Sequence, residues 1–194
     1  MKKILSVILC SVLLFTLTAC GQAETKNENN SKEIVKEDTK EVNTAAKGEE
    51  EKTKSREVVL YFSDDQAMYL VGQKRNIEEN TAKAIILELI KGPSQLEGEE
   101  KLFETLPSNL ELLDVQVSEG IANVDLSGDT VQDISGGSAG EGMALYSIIN
   151  TLILYEDLGV TKVQFLVDGK KVDSIKGHYD VSVPISEDED MIKR

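Results

Sequence analysis

The sequence predicts an α+β domain, an antiparallel or mixed sheet with helices packed on one face. Three observations carry that expectation. Strand-like and helix-like apolar patterns alternate from Glu57 to Ile175. Two stretches place apolar residues at i, i+3 and i+4 over several turns. Other apolar runs come in pairs joined by short turn signals, the mark of hairpins rather than of crossover connections.

Taken in order, Val58-Val59-Leu60-Tyr61-Phe62 is an apolar run ended by Ser63-Asp64-Asp65, a strand and a turn. Met68 to Val71 reads as a strand returning beside it, with Gln73 to Ile77 as its extension. Ala82, Ile85, Ile86, Leu89 and Ile90 share one helical face. Asn80 or Thr81 caps that helix and Gly92-Pro93 stops it. The polar connection from Ser94 to Pro107 has room for one short helix, with Leu102, Phe103 and Leu106 as its apolar contacts. Leu113, Val115 and Val117 then alternate with polar residues, Ser118-Glu119-Gly120 turns the chain, and Ala122, Val124 and Leu126 alternate on the way back. The strongest helix runs from about Gly140 to Tyr155. Leu145, Ile148, Ile149 and Leu152 form its core face, with Met143 and Ile153 beside them. Val163 to Val167, a turn at Asp168-Gly169, and Lys170 to Ile175 complete a second hairpin.

The first 19 residues read as a lipoprotein signal peptide. Lys2 and Lys3 precede an apolar core from Ile4 to Leu17, too short for a span of about 20 apolar residues. Leu17-Thr18-Ala19-Cys20-Gly21 resembles the lipobox of bacterial lipoproteins, which implies lipidation of Cys20 by a diacylglyceryl group. Two acyl chains hold a protein stably where one does not. The expected partner is thus the membrane, and the expected location its extracytoplasmic face. The other cysteine, Cys10, falls inside the signal, so the mature chain has no thiol left for a disulfide, a zinc site or a nucleophile. Residues 20–56 hold the lipidated cysteine and a Lys/Glu-rich tether without aromatic residues, which cannot bury enough surface to order itself. Its flexible part, 21–56, spans roughly 30 Å root-mean-square. The folded domain is assigned to 57–187 and a frayed acidic tail to 188–194.

Charge excludes one class of partner. Residues 57–194 hold 11 basic and 26 acidic residues, a net of −15. Such a domain is repelled by phosphate backbones, so no nucleic-acid partner is expected. Asp125, Asp129 and Asp133 are spaced for a divalent ion but do not follow the calcium-loop pattern, and turn formation is the simpler reading. No metal site and no cofactor are assigned.

Gly136-Gly137-Ser138-Ala139-Gly140 formally fits the G-x-S-x-G nucleophile elbow, and His178 lies downstream with Asp168 and Asp173 between. An elbow needs a strong buried strand before the serine, whereas Val131 to Ser135 is short and polar. Glycines and a serine before a helix follow from capping alone. Glu141 complements the helix dipole there, and a lone histidine in Gly177-His178-Tyr179-Asp180 most often orders a loop. No catalytic residue is assigned. The serine hydrolase stays as the weakest of three readings.

These same segments carry a family resemblance. Leu106 to Val115, followed by Gly120-Ile121-Ala122-Asn123-Val124-Asp125-Leu126-Ser127, resembles the middle of the GerMN domain. That domain characterises the GerM-like lipoproteins of sporulation and spore germination. Gly137-Ser138-Ala139-Gly140-Glu141 with Leu145 to Leu152 resembles its second helix. Val160 to Val172 and Gly177-His178-Tyr179-Asp180 resemble its closing hairpin and end. The resemblance implies a single GerMN-like domain and makes Gly-Ser-Ala-Gly-Glu a structural or binding motif. The long tether, and exposed sheet edges without a catalytic constellation, point to a non-enzymatic role in protein interaction or assembly, with an envelope protein or with itself, and the resemblance sets it in sporulation or germination. The alternative is a module that binds a small ligand or wall fragment near Ser138 to Gly142 and His178. The Lys/Glu-rich, tryptophan-free composition suits a Gram-positive source.

Overall fold

A computed structural model describes residues 55–194. The signal peptide, Cys20 and nearly all of the tether lie outside the described residues. The expected α+β architecture is present, with its strands divided between two sheets.

The first sheet is a hairpin of β1 (Arg56–Ser63) and β2 (Leu70–Ile77), antiparallel, with Leu60 opposite Gln73. Val58, Leu60 and Phe62 alternate inward and are fully buried. The loop between the strands closes on Asp64, a buried carboxylate that accepts the N–H groups of Met68 at 2.9 Å and Tyr69 at 3.3 Å. Helix α1 (Ala82–Ile90) buries all five of its predicted apolar residues. Thr81, not Asn80, is its cap, the hydroxyl accepting the Ala84 N–H at 3.1 Å.

The connection after α1 holds no helix among the described residues. Ser63 and Phe103 exchange two main-chain hydrogen bonds, so this stretch is extended where it meets β1. Extended backbone sends neighbours to opposite sides. Leu102 is therefore buried and Phe103 lies out, under the Lys101 ammonium at 4.9 Å.

The second sheet has the order β3-β4-β5-β6. Strands β3 (Leu112–Ser118) and β4 (Ile121–Leu126) form the predicted hairpin. Its two-residue turn, Glu119-Gly120, has φ values of 53° and 75°, the left-handed pair that matches strand twist. Ala122, Val124 and Leu126 are completely buried. The inward set on β3 differs from the expected one. The register shifts between Leu112 and Asp114, so Leu112 faces Leu126 and the extra residue, Leu113, turns outward.

Helix α2 (Gly137–Ile153) starts three residues before the expected Gly140. It carries the chain from β4 to a parallel β5 (Lys162–Val167), with Val124 beside Phe165. Leu145, Ile148, Ile149 and Leu152 are buried as predicted. Packing against both β1 and β5, α2 joins the two sheets, while α1 packs against β1, β2 and β3. It therefore buries polar positions too: Thr151 accepts the Tyr61 N–H at 3.2 Å, and Ser147 meets Thr105 at 2.9 Å.

Strand β6 is only Lys170–Lys171, not the predicted run to Ile175. The turn before it, Asp168-Gly169, has the expected left-handed pair. Beyond Lys171 the main chain leaves the sheet, the edge of β5 is met instead by Ile185 at Val163, and the Lys176 and His178 N–H groups bond to Glu141. The acidic end, expected to fray, is held: Ile185 pairs with Val163, Asp188 with Asn150, and Lys193 with Leu70. No helix among the described residues is long and apolar enough to cross a membrane.

Candidate functional site

The two motifs singled out in the sequence meet in space. Gly136, extended at φ −75° and ψ 166°, caps α2 without a side-chain bond. Ser138 and Ala139 occupy the first turn and face solvent. Gly140 sits against the preceding loop: a β-carbon there would lie 2.7 Å from the Ser135 carbonyl oxygen. Glycine thus lets the helix start close under its own lead-in.

Glu141 is the centre of the arrangement. Its side chain is 0% exposed, and both oxygens are saturated by the chain leaving β6. Oε1 accepts the Lys176 N–H at 2.8 Å and the Ser174 hydroxyl at 3.3 Å. Oε2 accepts the His178 N–H at 2.9 Å and faces His178 Nδ1 at 2.9 Å. Burial pushes this carboxyl up, but the Lys176 and His178 main-chain donors, the imidazole and the Ser174 hydroxyl outweigh it. The result lies below the ordinary glutamate value of 4.5. An ionised carboxylate only accepts, so the proton between the two lies on Nδ1.

The next helical residue fixes the same loop sterically. A β-carbon on Gly142 would lie 2.5 Å from the Tyr179 hydroxyl oxygen. Tyr179 also packs edge-on to Tyr146, with ring centroids 6.1 Å apart and planes at 74°. Asp180 closes the segment by accepting the Ser182 hydroxyl at 2.6 Å and its N–H at 2.9 Å, which hold its carboxyl below the ordinary aspartate range. Gly177, at φ 93°, makes the turn between Lys176 and His178. Around the loop lies an open polar recess of about 360 Å³, lined by Asp173, Ser174, His178, Tyr179 and Asp180.

Two of the residues a serine–histidine–acid relay would draw on, His178 and Asp168, have other partners. The carboxylate that His178 meets is Glu141, and among the described residues no hydrogen bond joins His178 to Ser138, Asp168 or Asp173. Asp168 accepts the Gly128 N–H at 3.0 Å. Asp125 accepts the Gly169 N–H at 2.9 Å, and Asp133 takes the Asn109 amide at 2.7 Å, so these two order turns. Among the described residues no three His, Cys, Asp or Glu side chains gather as metal ligands.

Sequence reasoning missed two things here. Glu141 reads as an acid complementing the helix dipole, whereas it is a buried anchor. Asn150 is given no role by the sequence, whereas it is fully buried and pairs with the Asp188 main chain. The available signal for Asn150 was its place between Ile149 and Leu152 on the core side of a strong helix.

Comparison with known structures places this geometry among relatives. The chain is similar to the first GerMN domain of the sporulation protein GerM from Bacillus subtilis, at 20% identity and a TM-score of 0.51, over 69% of this chain and 96% of that one. It is similar to the tandem GerMN domains of the same protein, at 22% identity and a TM-score of 0.54, over 71% of this chain. There it spans 46% of the tandem pair, about half its length. A lipoprotein candidate from Clostridium perfringens is 28% identical, with a TM-score of 0.49, over 70% of this chain and 89% of that one. Comparison with curated proteins gives no match. The model of the Germane family, described as sporulation and spore germination, matches residues 59–173, more than half of the sequence. The chain belongs to the Germane family, with a GerMN-type α+β fold.

Proposed function

We propose that this protein is a membrane-anchored extracytoplasmic lipoprotein whose GerMN-type domain is a non-enzymatic interaction or assembly module in sporulation or germination. The observation that carries the non-enzymatic reading is the Glu141 anchor. Glu141 holds the Lys176 and His178 main chain and the imidazole as a loop anchor, and among the described residues no hydrogen bond joins His178 to Ser138. Family membership supports the sporulation setting. Lipid anchoring rests on the Leu17-Thr18-Ala19-Cys20 sequence.

The outer edge of β3 supplies the contact surface. In a two-residue hairpin the closing pair, Ser118 and Ile121, is hydrogen-bonded, so Val115 and Val117 turn their main-chain groups outward. Val117 is 44% exposed, and Leu113 at the bulge is 37% exposed. An unpaired edge of this kind invites strand addition. In the test, Cys20→Ser abolishes palmitate labelling and membrane retention of the full chain. Val117→Pro removes an outward N–H and abolishes assembly measured by light scattering. Assembly unchanged by the proline refutes the edge, and labelling that survives Cys20→Ser refutes the anchor. Modification of Ser138 by an active-serine probe overturns the non-enzymatic reading.

The recess beside His178 favours a second reading, a small-ligand or wall-fragment site, because the imidazole lines it and is two-fifths exposed. A saturable thermal shift with wall fragments that is lost in His178→Ala supports it. No shift removes it.

A further inference from the structure

After Val181 no described residue is fully buried, yet the chain from Ile185 to Lys193 is held at three stations. At the first, Ile185 and Val163 exchange N–H···O=C bonds, both 2.8 Å, on the outer edge of β5. At the second, the Asn150 amide, wholly buried on α2, donates to the Asp188 carbonyl at 2.9 Å and accepts the Asp188 N–H at 3.0 Å. At the third, the Lys193 N–H reaches the Leu70 carbonyl at 2.9 Å, where Ile192 bridges the start of β2. Each station reads main chain, and two of them are edges of different sheets.

This segment is well bonded but poorly buried. Ile185, Met191 and Ile192 are only partly covered, so lifting them exposes little apolar surface and leaves the core intact. Glu187, Asp188, Glu189 and Asp190, all but Asp188 exposed, lie along a domain whose residues 57–184 carry a net charge of −13. The Lys193–Glu100 pair that opposes this is two-fifths exposed at both ends, where ion pairs contribute little. Lifting the segment would strip partners from the Val163 N–H and C=O, the Leu70 C=O and both ends of the buried Asn150 amide. Groups like these are costly to leave unpaired. The vacated track therefore favours another main chain of the same course, extended at Ile185 and Ile192 with a 3-10 turn at Glu189–Met191 between.

We propose that residues 185–193 form a releasable strap over a track of main-chain-binding stations, and that the vacated track accepts the same strap from a second copy of this chain. The positions of the stations match the spacing of 185, 188 and 193 in this sequence, which a second copy reproduces. Exposed Val183, with Pro184 after it, supplies the lead-in that swings out. Exchange of an identical element between copies creates no new interface chemistry. This is separate from the β3 edge and does not depend on it.

The test uses the full chain in detergent. Hydrogen exchange should find the Ile185, Asp188 and Lys193 amides at least tenfold faster than those of Val124 and Phe165, and faster still at low salt. A labelled synthetic peptide of residues 184–194 should bind Ile185→Pro, whose own strap lacks the first N–H, at least tenfold more tightly than wild type, because more of the track is vacant. Adding Asn150→Leu should abolish that binding. Two differently tagged wild-type copies should form mixed dimers in native mass spectrometry. Strap amides that exchange only with the core, or equal peptide affinity in wild type and Ile185→Pro, overturn the strap. Peptide binding without mixed dimers overturns the second copy as occupant. Should Ile185→Pro not fold, the wild-type exchange rates decide.

Discussion

Replacing Glu141 by glutamine isolates what one buried charge does for this fold. The glutamine keeps the shape, but one of the two oxygens becomes an NH₂ donor. Whichever oxygen is lost, one main-chain donor then faces a donor, Lys176 N–H on one side or His178 N–H on the other, and the Ser174 hydroxyl or Nδ1 beside it has to turn acceptor. A hydrogen bond to a charged group contributes about 1.5–3 kcal/mol net, and bonds sharing one acceptor do not add. Removing one partner of a buried charged network costs about 3–5 kcal/mol. We therefore expect Glu141→Gln to destabilise the domain by about 2–3 kcal/mol and Glu141→Ala by about 3–5 kcal/mol. In urea titrations the midpoint should fall with the slope unchanged. Amide exchange at Lys176 and His178 should accelerate more than at Phe165. The sign with pH follows from a folded-state value below 4.5. The contribution of the charge is complete above that value and is lost as pH falls through the lower, folded one. The gap between wild type and Glu141→Gln should therefore narrow on acidification. A variant within about 0.5 kcal/mol of wild type, with the His178 amide still protected, refutes the assignment of Glu141 as the anchor.

Two further substitutions test the surroundings. Gly142→Ala drives a β-carbon to 2.5 Å from the Tyr179 hydroxyl and should destabilise by about 1–3 kcal/mol. Adding Tyr179→Phe, which removes that oxygen, should recover part of the loss, whereas strictly additive effects refute the contact. Thr81→Ala removes the hydroxyl that accepts the Ala84 N–H and should cost about 1 kcal/mol by chemical denaturation, while Asn80→Ala leaves that cap bond in place.

Local chemistry made most of the elements legible. Ala82, Ile85, Ile86, Leu89 and Ile90 could share a face only on a helix, and Ala122, Val124 and Leu126 could share one only on a strand. Glu119-Gly120 and Asp168-Gly169 supplied the left-handed pairs that two-residue hairpins need. The α+β class and the core followed from those periods, and the linked motifs carried the family resemblance. What stayed hidden depends on contacts between residues far apart in the chain. The division of strands between two sheets, and the parallel pairing of β4 with β5, follow from where α2 packs rather than from any one strand's pattern. The bulge at Leu113 leaves no mark in an alternating run, since one extra residue only exchanges which neighbour faces inward. Lys170 to Ile175 has strand-like composition, yet Ile185 takes the β5 edge at Val163 and Glu141, more than 30 residues earlier, holds the Lys176 and His178 N–H groups just beyond. Ser186 to Asp190 has the composition of a solvated end, yet its main chain, which composition does not describe, pairs with Val163, Asn150 and Leu70 through the residues in and around it. Side-chain period was enough to determine the elements. Where unpaired main-chain donors and acceptors find partners was decided only by the folded chain, because those groups are the same in every residue and carry no sequence signal.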